Sequence, residues 1–240
     1  GSVTLPTVAL VNNAQREHQE FMVSVEAVAL ENAAVFESLM PGGTKVFPSD
    51  DAFTSLWAGL AGQHASSTFG LIAPARVWAS DIESDVLGSS FVLHTQLGQT
   101  EIVLSVPGMH NVRNALAATA CALASGASLA AVAQGLQGFR AAHGRMQPHR
   151  LADGRVLIDD TYNANPDSVR AAIDVLASLP SPRVLVLGDM GEVGDNGPAM
   201  HTEVGAYARA RGVDTLLTLG DATRDSAQAF GQGANHCESP

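Results

Sequence analysis

The sequence predicts an α/β protein of two domains, the second built on a mainly parallel sheet. From residue 155 onward, short apolar runs alternate with helical patterns as strand, helix, strand, helix, strand. That order gives a parallel sheet with right-handed crossovers. Between residues 69 and 106 the apolar period is two, which marks paired strands. Residues 138–148 carry no period and separate these regions, so domains are expected at 3–147 and 148–240.

Val8-Ala9-Leu10-Val11 reads as a buried strand running into the polar pair Asn12-Asn13. Residues 23–39 follow as a helix, with Val25, Val28, Ala29, Asn32, Val35, Phe36 and Leu39 roughly along one face and Pro41-Gly42-Gly43 ending it. Val46-Phe47-Pro48 ends a strand, and Ser49-Asp50-Asp51 caps a helix reaching about Ala61. Strands are expected at 76–79, 90–95 and 101–106, with Leu97-Gly98-Gln99-Thr100 as the hairpin turn. Two Ala-rich helices cover 111–125 and 128–136. Beyond the boundary come strands 155–160, 183–187 and 213–219, helices 166–179 and 198–210, and a last helix after Gly220-Asp221.

The 240 residues are 46% hydrophobic and 15% charged, a globular balance with ample chain to bury a core. Aromatic residues are 5%, so Ala, Val and Leu build that core. With 13 Lys+Arg against 24 Asp+Glu, the net charge of −11 argues against a nucleic-acid or anionic-membrane surface. No apolar run spans a bilayer and no signal peptide is visible. Cys121 and Cys237 are too few for a disulfide framework or a thiolate metal site, so a reducing, cytoplasmic setting is expected. Lys45 is the sole lysine, and Pro41-Gly42-Gly43-Thr44-Lys45-Val46 lacks the glycine spacing and the following Ser/Thr of a phosphate-binding loop.

The segment Ile158-Asp159-Asp160-Thr161-Tyr162-Asn163-Ala164-Asn165-Pro166-Asp167-Ser168 carries the densest chemistry. A strand delivers two carboxylates to its C-terminal end, where ligands bind in open α/β sheets. Asn165 is a natural N-cap and Pro166 a natural first helical residue, which leaves backbone N–H groups free to meet an anion. The carboxylates suit a ribose hydroxyl or a metal; equally, the Asp and Asn side chains suit an Asx turn that only caps backbone. Asn111 and Asn114, three apart at the start of a helix, suit the edge of a purine or simple capping. Arg145, in His143-Gly144-Arg145 at the boundary, suits phosphate or open solvent. Gly188-Asp189-Met190-Gly191-Glu192-Val193-Gly194 has the wrong glycine spacing for a dinucleotide fingerprint, and its acids suit a cationic group or a neighbouring domain. His64, His94, His149 and His236 show no metal spacing, no G-x-S-x-G nucleophile motif occurs, and Cys121 reads as a small core residue.

Taken together, Pro107-Gly108-Met109-His110-Asn111-Val112-Arg113-Asn114-Ala115-Leu116-Ala117-Ala118, His143-Gly144-Arg145-Met146, the 159–168 segment and Leu187 through Gly194 resemble the Mur ligase family in order and spacing over about 107–220. Upstream, Val11-Asn12-Asn13 and His18 resemble the segment after a strand of that family's central domain. The Tyr-Asn-Ala-Asn-Pro and Gly-Asp-Met-x-Glu forms point to the branch that adds D-Ala-D-Ala to UDP-MurNAc-tripeptide in peptidoglycan precursor synthesis. The resemblance implies the C-terminal part of a central ATP-binding domain followed by a Rossmann-like ligase domain. It further implies an ATP- and Mg²⁺-dependent, ADP-forming amide ligase working through an acyl phosphate. On that basis Asn111 and Asn114 contact adenine, Arg145 the phosphates and Asp160 the ribose, with Arg145 and Asp160 the catalytic candidates. His18 is a Mg²⁺ ligand, and Tyr162, Asn163, Asn165, Asp189 and Glu192 lie near the incoming dipeptide.

The chain also departs from the family pattern. It holds neither the P-loop nor the UDP-sugar domain, and the Lys-Gly-Ser-Arg segment of the family's C-terminal region is missing. Asn32 occupies the place of a lysine that the family often carbamoylates, and Asn cannot form a carbamate. The sequence therefore reads as the back portion of the enzyme, without turnover alone. Two other readings compete: another Mur or folylpolyglutamate-type ligase, and a non-catalytic module that docks other cell-wall enzymes.

Overall fold

The computed structural model describes residues 5–16, 22, 24–60, 62–191 and 193–238. They pack as two units, one of residues up to Gln15 with Ser24–Arg140, the other of Arg16 with the residues from Ala141 onward.

The first unit is a six-stranded sheet in the order β1 (Val8–Leu10), β2 (Thr44–Pro48), β3 (Ala65–Gly70), β4 (Val77–Ser84), β5 (Ser89–Thr95), β6 (Gly98–Leu104). The first four strands run parallel and the last two add antiparallel. Helix α1 (Val25–Ala33) starts where the Ser24 hydroxyl accepts the Ala27 N–H at 3.1 Å. The single helix expected to residue 39 tightens instead into a 3₁₀ turn over Ala34–Ser38, which turns Phe36 and Leu39 into the core and leaves Val35 exposed. Helix α2 (Thr54–Gly59) begins later than expected, because the Asp51 carboxylate accepts the Phe53 N–H in a turn of its own. Its Trp57 is fully buried, and the indole N–H donates to Ala29 O at 3.0 Å, tying α2 to α1.

Strand β4 runs past the expected Ala79 and carries a bulge between Ser80 and Glu83, where Asp81 takes φ 50°. The β5–β6 turn is shorter than expected: Gln96 and Leu97 alone form it, and Gly98, at φ 124°, already pairs with Thr95. Helix α3 (Met109–Ala124) buries Val112, Leu116 and Ala120, while Cys121 stays half-buried on its flank. Helix α4 (Leu129–Gly138) is capped by Ser128, whose hydroxyl accepts Ala131 N–H at 3.2 Å.

The second unit holds β7 (Gln147–Arg150), β8 (Val156–Asp159), α5 (Pro166–Ala177), β9 (Val184–Gly188), α6 (Gly197–Ala210), β10 (Thr215–Leu219), α7 (Thr223–Phe230) and β11 (Ala234–Cys237). Strands β9 and β10 pair in parallel as expected and β11, which the sequence did not announce, adds to β10; β8, expected in the same sheet, instead pairs antiparallel with β7 in a separate hairpin. Ile173 and Val204 from α5 and α6, Leu187 and Leu216 from the sheet, and Phe230 from α7 meet in one core. Gly205 has a reason to be glycine, since a Cβ there would stand 2.1 Å from Ser226 O. Its absence lets α6 and α7 close on each other. Among the described residues no helix is long and apolar enough to cross a membrane.

Candidate functional site

In the first unit the C-terminal ends of β1 and β2 meet the first turns of α3. Asn12 follows β1, and its Nδ2 donates to Asn114 Oδ1 at 2.9 Å. Asn12 Oδ1 is buried and has no hydrogen-bond partner among the described residues. Asn111 donates its Nδ2 to Pro107 O at 2.8 Å. The two amides of α3 are thereby oriented: Asn114 keeps Nδ2 as a donor, and Asn111 keeps Oδ1 as an acceptor. Between them Arg113 forks onto Asp50 at the end of β2, with Nη2 3.1 Å from Oδ2, and the same Oδ2 accepts Leu71 N–H at 3.0 Å. Asn32, where the resemblance implies a family lysine, donates to Asn13 O at 3.2 Å, so α1 returns to the loop after β1.

In the second unit two short segments lock together. Met146 N–H donates to Asp160 Oδ1 at 3.0 Å, and Tyr162 N–H donates to Gly144 O at 3.0 Å. Arg145 lies between these bonds, its guanidinium carbon 4.0 Å above the centre of the Tyr162 ring. Gly144 at φ 68° and Met146 at φ 51° both sit in the left-handed region, and Met146 holds that strained backbone while its side chain is buried. Asp159 takes the Asx-turn alternative: its Oδ1 accepts the Thr161 hydroxyl at 2.7 Å and the Thr161 N–H at 3.1 Å. Those bonds, the hydroxyl first, hold its carboxyl below the ordinary range. Asn165 caps α5 as expected, accepting Ser168 N–H at 2.8 Å, while Asn163 Oδ1 accepts Ala164 N–H at 2.9 Å. These two amides are thus committed to backbone through their oxygens.

Helices α5 and α6 are joined by a charge cluster that the sequence did not announce. Arg16 forks onto Asp167, with Nη2 2.6 Å from Oδ1, and onto Glu203, with Nη1 2.6 Å from Oε2; Arg170 adds a second contact to Glu203 at 2.9 Å. Burial would raise the Asp167 carboxyl, but the Arg16 guanidinium and N–H outweigh it and hold it below the ordinary range. Glu203 is lowered chiefly by its hydrogen bonds from Arg16.

The loop after β9 is anchored at two points. Asp189 Oδ1 accepts Thr223 N–H at the start of α7 at 2.9 Å, and Met190 N–H donates to His201 Nε2 at 3.1 Å. Asp189, expected near substrate, is exposed but partly engaged in this anchoring. His18 and Glu192 lie outside the described residues. Among the described residues no three His, Cys, Asp or Glu converge to hold a metal ion.

Residues 1–122 match the Mur ligase middle domain, and residues 144–239 match the Mur ligase glutamate ligase domain. The UDP-N-acetylmuramoyl-tripeptide–D-alanyl-D-alanine ligase of Escherichia coli K12 is 37% identical over 99% of this chain and 53% of its own length. The crystal structure of MurF from Acinetobacter baumannii superposes with TM-score 0.91 at 32% identity, over 96% of this chain and 50% of that one. MurF of Thermotoga maritima, solved in complex with ADP, shares the fold at TM-score 0.85 and 18% identity, over 98% of this chain and 53% of that one. The chain spans about half the length of the curated relatives it matches. With its first half matched end to end by one Mur ligase domain and its second by the other, the chain belongs to the Mur ligase family.

Proposed function

We propose that this chain serves an ATP-dependent ligase that joins D-Ala-D-Ala to UDP-MurNAc-tripeptide in the cytoplasm. The observation that carries this reading is the likeness to the E. coli enzyme over nearly the whole chain. The oriented amides of α3 support the nucleotide part. A donor on Asn114 and an acceptor on Asn111 complement N1 and the exocyclic amine of adenine, whereas guanine offers the opposite pattern, an N1–H donor and an O6 acceptor, at that edge.

In this reading ATP phosphorylates the carboxylate of the tripeptide. The carboxylate oxygen bonds to the γ-phosphorus, ADP leaves, the dipeptide amine attacks the acyl carbon, and phosphate departs. Arg145 meets the charge on the phosphates, its planar cation steadied by the Tyr162 ring. Asp160 holds a ribose hydroxyl while its Oδ1 fixes the turn carrying Arg145. In the same reading Tyr162, Asn163, Asn165, Asp189 and Glu192 serve the incoming dipeptide. His18 would be this chain's ligand to a Mg²⁺ ion, which would offset the charge of the ATP phosphates.

The test is ADP release with MgATP, UDP-MurNAc-tripeptide and D-Ala-D-Ala, measured on this chain alone and on the chain completed to the length of its relatives. Turnover by the completed protein only, and with the dipeptide in preference to single amino acids, is expected. Preference for glutamate or another single amino acid would move the assignment to a sister ligase. Inertness of the completed protein with every amine would favour the docking-module reading.

A further inference from the structure

We propose that His201 is a positioning residue that sets the conformation of the Gly188–Gly191 loop and, through it, the binding of the incoming amine. The second half of this statement rests on the proposed reading of that loop as part of the amine site. His201 stands in the second turn of α6 and is fully buried, and no step of the proposed chemistry uses it. Both ring nitrogens are engaged: Nδ1 lies 2.8 Å from Gly197 O, and Nε2 lies 3.1 Å from Met190 N. A carbonyl oxygen can only accept and a backbone N–H can only donate, so Nδ1 carries the proton and Nε2 offers its lone pair.

This ring therefore reads one backbone N–H of the loop from inside the core. Met190 is the loop's inner anchor, with its side chain buried against the unit's core and its N–H satisfied by His201. The outer anchor is Asp189 on the first turn of α7, backed by Gly220 at φ 113°, where a Cβ would stand 2.4 Å from the Asp189 carboxylate. His201 is also tied to α7, since its own carbonyl accepts the Ser226 hydroxyl at 2.7 Å. An aliphatic side chain would fill the same space, but it would leave the Met190 N–H buried without an acceptor. A buried acceptor at the Nε2 position therefore favours the loop conformation that presents the Met190 N–H to it.

Two near-isosteric substitutions separate the two ring nitrogens. His201→Asn keeps a donor for Gly197 O and loses the acceptor for Met190, while His201→Gln can place an oxygen near the Nε2 position. In this chain, amide hydrogen exchange should show Met190 exchanging about tenfold faster in His201→Asn, the weight of one hydrogen bond. The Leu187 and Val204 amides should stay unchanged, and His201→Gln should return Met190 to its original rate. In the completed enzyme, His201→Asn should raise KM for D-Ala-D-Ala by a similar factor and leave KM for ATP unaltered, with His201→Gln restoring it. Equal Met190 exchange in all three proteins would overturn the anchor, as would uniform acceleration across the core. Altered exchange with an unaltered dipeptide KM would overturn the positioning role. Failure of the unsubstituted enzyme to use the dipeptide would instead overturn the amine-ligation reading, and the exchange rates would still decide the anchor.

Discussion

Gly144 shows how tightly single residues are specified at the second unit's candidate site. Its φ of 68° favours glycine, and a Cβ would stand 2.9 Å from Tyr162 N, an atom held in place by its bond to Gly144 O. Gly144→Ala combines left-handed strain with a contact that cannot be relieved by a rotamer change. It should cost about 1–3 kcal/mol, read as a lower urea midpoint with unchanged slope. An unchanged midpoint would show that the turn relaxes freely and that Arg145 is not held by it. At this scale the sequence was informative where chemistry is local. Asn165-Pro166 announced the cap of α5, which the structure completes with Ser168. The Asx turn at Asp159 was visible as one of two options, and only the Thr161 contacts decide for it. His201 was not legible, because its partner is a backbone N–H brought to it by a loop whose shape no local pattern encodes.

Helices α5 and α6 share the carboxylates Asp167 and Glu203, and the Arg16 guanidinium that bridges them gives the pair a pH signature. Both carboxyls are held below their ordinary values in the fold, so the unfolded chain binds more protons than the fold across the acid range. The stabilisation is therefore complete above the unfolded carboxylate value of about 4 and is lost as pH falls through the lower folded values. Arg16→Gln should cost about 1–2 kcal/mol at neutral pH, discounted because Arg16 and Glu203 keep 24% and 36% of their side-chain exposure. The gap from the parent should narrow as pH falls below about 4, the unfolded carboxylate value. A constant gap across that range, in urea titrations at several pH values, would remove the ion pairs as its cause. Among elements, those with strong apolar periods were legible and those defined by their partners were not. Strand β3, Ala-Ser-Ser-Thr-Phe-Gly, is buried only at its last two residues and is a strand because β2 lies beside it in register. Strand β11 owes its existence likewise to β10, and β8, apolar enough for a central strand, turns back on β7 instead.

The chain carries one lysine, and the fold puts it out of reach. Lys45 is the second residue of β2 with 1% exposure, its Nζ 2.6 Å from Leu60 O and 5.1 Å from the centre of the Phe36 ring. Burial pushes its amine below the ordinary value, and the carbonyl it meets is at the C-terminal end of α2, where a cation is favoured. The only lysine of the chain is thus a core residue of the first unit. The same placement turns Lys45 into a single-site reporter. An amine-reactive ester should label Lys45 only when the sheet of the first unit opens, slower than in the urea-unfolded chain by on the order of 10³-fold or more, the scale of a folded-to-unfolded ratio. The labelling rate should rise with urea in step with loss of the sheet, followed by mass spectrometry of the peptide containing Lys45. Fast labelling of Lys45 in native buffer would mean that β2 opens locally rather than with its unit. In that case the buried amine would report a weak strand inside the six-stranded sheet, and the placement of Lys45 as a core residue would fail.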